Sequence, residues 1–374
     1  MAQTQLRPTP RATAREPVRA PRYPRHAAPP VLVEVRRGNV VESRHRGHIV
    51  QVDAAGKIER GIGNPEVIVN LRSAVKPFAL LALIESGAAD AFQLSDPELA
   101  VMAASHNGED AHVRTLQAVM RRASLSQSML ACGTDGAPHD PLTAARLARD
   151  GEEPGPIRHM CSGFHTASLL LSRHRGWSLA DYWRPDHLSQ LAVREAVGRI
   201  FGVAPMALRT SVDSCGVLTY AFTLADIARA FLLLAAPSGP FEAGLTRVRD
   251  AMMAAPEMVG GTRESSDTLL MRARPGFLVA KGGAESLRAI GVVGGARGKG
   301  TPAMAVAIKI EDGDPNARAN RAVTVEALAQ LGVLDAAALA RLAAMHRPPA
   351  LDPRGHEVGE SVASFELAPI SELG

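Results

Sequence analysis

Cysteine is nearly absent from this chain: Cys132, Cys161 and Cys215 are the only three in 374 residues. Scattered thiols in that number cannot form the disulfide framework that staples small secreted domains. Aromatic residues make up only 4% against 46% hydrophobic residues overall, so the core must be built from Ala, Leu, Val, Ile and Met. No apolar run approaches the ~18 residues that a membrane span needs. The longest, 230–236, reads as core. The first thirty residues lack the apolar stretch of a secretory signal, which makes the cytoplasm the expected compartment, with no membrane partner.

Acids are almost missing from that same stretch. Arg7, Arg11, Arg15, Arg19, Arg22 and Arg25 face the single acid Glu16, a balance of +5 within a net charge of +4. The remaining body is close to neutral and gives no general reason to expect a nucleic-acid partner. Rich in proline and poor in anything to bury, 1–30 reads as a disordered tail, with one catalytic domain over 31–374. Lysine is the other scarcity: only Lys57, Lys76, Lys281, Lys299 and Lys309 occur among many arginines. A desolvated lysine can give up its proton and an arginine cannot, so each lysine is a candidate for a task closed to arginine.

What is present reads as α+β. Strands are expected over 31–35, 40–53 and 57–61, followed by a buried helix over 73–86. Asp96-Pro97-Glu98 starts a helix with Asp96 as cap. Further helices are expected over 109–123, 139–150, 163–174, 187–201, 224–236 and 241–254. Short strands follow over 277–282, 287–293 and 303–311, then helices over 316–332 and 335–345 and a last strand over 362–367. Strands at both chain ends would complete one antiparallel sheet, with the helical portion packed on it.

Several short motifs carry chemistry. In Ser73-Ala74-Val75-Lys76 a serine and a lysine three apart share a helix face, and a desolvated lysine can act as base for a serine. The same spacing also suits a capping serine with an exposed lysine. Ser105-His106-Asn107-Gly108-Glu109 crowds polar groups into a break between helices, which fits either a site or a glycine cap. Cys161-Ser162-Gly163-Phe164-His165 and Asp213-Ser214-Cys215 offer two thiols and a histidine, as zinc ligands or as small buried apolar groups. Lys281-Gly282-Gly283-Ala284 ends a strand where a backbone or ligand can come close. The run from Gly294 to Thr301 is not a phosphate loop, because Gly300 separates Lys299 from Thr301 and the segment joins two strands.

Taken together the segments resemble the bacterial asparaginase II family of thermolabile, Rhizobium-type enzymes. The likeness runs through Val41-Glu42-Ser43-Arg44-His45-Arg46, Arg72-Ser73-Ala74-Val75-Lys76-Pro77, Ala104-Ser105-His106-Asn107-Gly108-Glu109, Cys161-Ser162-Gly163 with His165, Asp213-Ser214-Cys215, Pro256-Glu257-Met258-Val259, and Lys281 with Gly283-Ala284. It implies an amidohydrolase acting on the side-chain amide of L-asparagine. The implied fold is similar to those of the serine β-lactamases and glutaminases, and the implied assembly is a homodimer. Two catalytic serine–lysine pairs would fall on Ser73 with Lys76 and Ser105 with Lys281, and Arg72, His106, Asp213 and Ala284 on the substrate side. No cofactor is required for that chemistry. The family's zinc ligands would be Cys161, Cys215 and a lysine, but here the lysine is Phe164, which cannot ligate a metal, and a neighbouring Asn is Met160. These departures leave room for an amidase of shifted specificity, or for a non-catalytic binding protein on the same scaffold. Retention of both lysines in an arginine-rich chain argues against the latter.

Overall fold

Arg37-Gly38-Asn39 turns the first hairpin as expected, joining Val31–Arg37 (β1) to Val40–Val52 (β2). The computed structural model describes residues 28–263 and 265–369, so the expected disordered tail lies outside the described residues up to position 27. β2 is thirteen residues long and serves two neighbours on one side. Its first half pairs with β1, and its second half with Ile58–Ile62 (β3). Three further strands form a small separate sheet: Ile68–Asn70 (β4) lies beside Leu218–Thr223, and Arg209–Val212 (β5) lies on the far side of that same strand (β6). Sequence patterning read the central third as helical and missed β5 and β6, and β4 also went unread.

The large sheet is completed from the other end of the chain. Met304–Ile310 pairs with the free side of β2, Leu287–Val292 with Met304–Ile310, and Leu278–Gly283 with Leu287–Val292. In chain order these are β7 (Leu278–Gly283), β8 (Leu287–Val292) and β9 (Met304–Ile310). Pro349–Leu351 (β10) and Glu357–Ala363 (β11) extend the sheet beyond β1, and Ala368–Pro369 (β12) pairs with β3. Every pairing is antiparallel. The expected α+β arrangement, one antiparallel sheet from both chain ends with helices packed on it, is therefore present. In place of the strand expected over 362–367 stand β11, which ends at Ala363, and the two-residue β12; the run from Gly294 to Thr301 joins β8 to β9 as a loop.

β9 is buried along nearly its whole length, as a strand covered on both faces must be. The helix Leu224–Ala235 packs on β2, β8 and β9, and Arg318–Gln330 on β1, β9 and β11. Among the described residues no single helix is long and apolar enough to cross a membrane. The expected helix over 73–86 is broken into a 3-10 turn Arg72–Val75 and two short helices, Lys76–Ala79 and Leu81–Glu85. The expected helix over 335–345 likewise breaks at Leu342, and the helices Pro256–Gly260 and Ser266–Ala273 went unread.

Candidate active site

Ser105 stands just beyond the helix Asp96–Met102. Ser95, not Asp96, caps that helix: its N–H donates to the Glu98 carboxylate at 2.8 Å. Beyond the helix the chain leaves regular secondary structure. The Ser105 N–H donates to Val259 O and the Asn107 N–H to Gly260 O, each at 3.1 Å. Glu109 fastens the far side, accepting from Asn107 Nδ2, from the Thr262 N–H and from Thr262 Oγ1. These bonds fix the direction in which the Ser105 hydroxyl points.

Lys76 reaches that hydroxyl from the helix Lys76–Ala79. Its ammonium is buried and donates to Ala104 O at 2.7 Å, to Cys161 Sγ at 3.2 Å and to Ser105 Oγ at 3.3 Å. Lys281 on β7 reaches the same hydroxyl, with Nζ 3.0 Å from Ser105 Oγ. The hydroxyl and amine of Ser73 and Lys76, three apart, do not meet. The amine satisfies its donors on Ala104 and Cys161, and Ser73 Oγ makes no side-chain hydrogen bond among the described residues, although Ser73 is 8% exposed. Ser73 stays close to β7 through its turn: a Cβ on Gly283 would come within 2.3 Å of Leu71 O, so only glycine lets the strand end press against it.

The turn that carries Ser73 is held from outside. Arg72 has φ 47, in the left-handed region, a conformation that costs a non-glycine residue about 1–3 kcal/mol. Its guanidinium Nε donates to Asp213 Oδ1 at 2.5 Å and its Nη2 to Ser214 Oγ at 2.6 Å. Its backbone N–H donates to Asn70 Oδ1 at 3.3 Å. Arg72 and Asp213, both expected on the substrate side, are thus an ion pair joining the small sheet to the Ser73 turn. Ala284 lies on the exposed β7–β8 turn. His106 is fully buried, with both ring nitrogens engaged: Nδ1 accepts from the Gly108 N–H, and Nε2 bonds Ser162 Oγ.

The thiols form the wall behind Lys76. Gly163 sits so tightly on the helix Asp96–Met102 that a Cβ would meet Val101 O at 1.9 Å, which draws Cys161 up to the lysine. Hydrogen bonding from Cys215, helped by the Lys76 cation and His159, holds the Cys161 thiol well below its ordinary range despite burial. The same bond, with burial, pushes Cys215 up. These residues do not fit a zinc ion. Lys76 occupies the thiol's approach with a cation, and Phe164 lines a small apolar pocket with Ala79, Leu80, Leu83 and Val193. His165 Nδ1 bonds the Tyr182 hydroxyl at 2.6 Å. Among the described residues no group of three His, Cys, Asp or Glu side chains could hold a metal.

Sequence reasoning passed over Asp267, buried beneath Lys281. One of its oxygens lies 3.5 Å from Lys281 Nζ and accepts the Gly282 N–H at 3.1 Å; the other accepts from Arg288. Asp267, Leu270 and Met271 are buried together at helical spacing. An acid in such an apolar stripe must find a cation, and that was the unused signal. Burial pushes Lys281 down to about 8, with Lys76 and Arg288 adding to the fall and Asp267 opposing it. In front of Ser105 opens a cavity of ≈ 570 Å³ lined by Asn107, His139, Leu142, Arg263 and Ser265 among others. Arg263 forks onto Asp140 at 2.9 and 2.6 Å and, with burial opposing, holds that carboxyl at about 2.

A sequence model of the L-asparaginase II family matches residues 33–363. No protein of curated function matches the chain. Among solved structures, a Bacillus subtilis glutaminase in covalent complex with 5-oxo-L-norleucine is 12% identical, over 70% of this chain and 79% of that one, with a TM-score of 0.34. A Bacillus subtilis probable glutaminase is also 12% identical, over 70% and 80%, with a TM-score of 0.31. Likenesses this slight carry no argument.

Proposed function

The chain belongs to the L-asparaginase II family and is an amidohydrolase enzyme, and we propose that its substrate is L-asparagine, cleaved at the side-chain amide by serine–lysine acyl transfer. The observation that carries the reading is the approach of two lysine amines to one serine oxygen, at 3.0 and 3.3 Å. In this reading Lys281, neutral, takes the proton of Ser105 as Oγ attacks the amide carbon. The proton passes to the amide nitrogen, the C–N bond breaks and ammonia leaves. Water then attacks the ester, giving aspartate and free Ser105. Lys76 holds positive charge beside the developing oxyanion. Ser73, buried on the turn next to Lys76, takes part as a proton relay or oxyanion donor. Arg72, at the start of the Ser73 turn, and Asp213, paired with it, bind the substrate's own charges. A homodimer with no required cofactor completes the proposal, on the strength of the family resemblance; few scattered cysteines and a near-neutral body support a cytoplasmic enzyme without a nucleic-acid partner.

A second reading, an amide hydrolase of shifted specificity, is favoured by Met160 and Phe164 in place of the family's polar pair. Ammonia release from asparagine, glutamine and simple amides separates the two. Turnover of asparagine far above the others supports the first reading, and preference for another amide supports the second. No release from any of them sinks both.

A further inference from the structure

We propose that Asp267 and Arg288 together are a positioning pair that aims the Lys281 amine at Ser105 and sets its protonation. The inference rests on the serine–lysine reading for its catalytic meaning but stands on separate geometry. Lys281 is a flexible chain of methylenes, and burial alone would not hold its amine on one hydroxyl. Three acceptors do so: Ser105 Oγ at 3.0 Å, Gly282 O at 2.8 Å and Asp267 Oδ2 at 3.5 Å. Asp267 Oδ2 also accepts the Gly282 N–H at 3.1 Å, which ties the carboxylate to the backbone beside the lysine.

A carboxylate alone in that place would defeat a base. It would hold Lys281 as an ammonium, since an opposite charge at this range favours the charged form. Arg288 prevents this. It donates to the other oxygen of Asp267 from β8 and is itself braced by Asn320 Oδ1 at 3.2 Å. The carboxylate's charge is thus already balanced by a cation that cannot lose its proton. The charged and titratable groups facing Lys281 are Asp267 from the helix Ser266–Ala273, Arg288 from β8, Lys76 from the helix Lys76–Ala79, and Cys161. Removing one member of the pair therefore has opposite effects from removing the other.

The experiment uses full-length protein carrying [13Cε]lysine. Only five lysines are present, so five signals arise, and Lys281 is assigned by its loss in Lys281→Arg. The Lys281 titration midpoint is read in the parent, in Asp267→Asn and in Arg288→Gln, beside the pH profile of amide hydrolysis. In Asp267→Asn the midpoint should fall, and in Arg288→Gln rise, by about 1 pH unit or more, the size expected from a nearby charge. The rising limb of the profile should move with each. Arg288→Lys, which keeps the charge and adds a sixth signal of its own, should hold the parent's Lys281 midpoint and guards against the case in which Arg288→Gln does not fold. Variants that lose activity or stability while the midpoint stays put would show a merely structural pair and overturn the inference. If the parent hydrolyses no amide, the serine–lysine reading fails, while the lysine titration still decides this one.

Discussion

Lys76 and Lys281 share one acceptor: Ser105 Oγ lies 3.3 Å from the first amine and 3.0 Å from the second. Two buried amines this close disfavour each other's charge, and Lys76 is one of the groups that lowers Lys281. A division of labour follows. Lys76 is engaged by the Ala104 carbonyl and the Cys161 sulfur, and Lys281, pushed down by burial, is placed to exchange a proton.

Lys76→Arg should be as damaging as Lys76→Ala. The position is 2% exposed and bounded by Ala104 O and Cys161 Sγ, so a planar guanidinium finds neither the room nor the point-charge geometry it would need. Ammonia release from both variants is the check. Retention of most activity in Lys76→Arg would reduce Lys76 to a structural cation.

The two serines should separate. Ser105→Ala should lower kcat by about a thousandfold or more and leave no acyl-enzyme, as loss of a nucleophile does. Ser73→Ala should cost on the order of a hundredfold, the range of a proton-transfer aid, and still accumulate the acyl-enzyme in quenched samples. Intact-mass spectra that place the adduct on Ser73 would reverse the assignment.

Lys281 should tie activity and stability to pH in the same sense. With its amine near 8, hydrolysis should rise with pH through that region. For stability, the folded value lies below the unfolded value of about 10.4, so between the two the unfolded chain holds more protons and stability rises with pH. Lys281→Met should therefore melt higher than the parent at pH 7, and the advantage should shrink towards pH 10. A variant that melts lower than the parent at pH 7 contradicts the sign.

Purified protein should carry far less than one zinc per chain. Only Cys161 and Cys215 offer soft ligands at the site, and structural zinc sites use four ligands and catalytic ones three. Phe164→Lys should raise the zinc content by supplying a further donor. Elemental analysis of dialysed samples decides, and near-stoichiometric metal in the parent would mean that His165 has left Tyr182 to ligate.

How much was legible depended on whether a residue's partners were near in sequence. β1, β2 and the β7–β9 meander announced themselves through apolar runs and glycine turns. β5 did not, because Arg209, Thr210, Ser211 and Val212 are all exposed and show no alternation. The break at Ser105 and the two lysines were visible as residue types, but the direction of Lys76 was not. Its acceptors, Ala104 and Cys161, are 28 and 85 residues away, and only the fold brings them to the amine. The motif match supplied Ser73 and Lys76 as partners, whereas packing hands the lysine to Ser105.

The position of β7 in the sheet has a consequence for synthesis. β7 is joined to β2 only through β8 and β9, and it carries the lysine that meets Ser105 across 176 residues. A ribosome that has released the helical portion has made Ser105 and Lys76, but Lys281 has no scaffold until Ile310 has emerged and β9 has paired. Long-range pairings of this kind form slowly, so Ser105 spends its early life beside a single amine. On the proposed serine–lysine reading, the nascent chain stays unable to hydrolyse an amide until its sheet has closed.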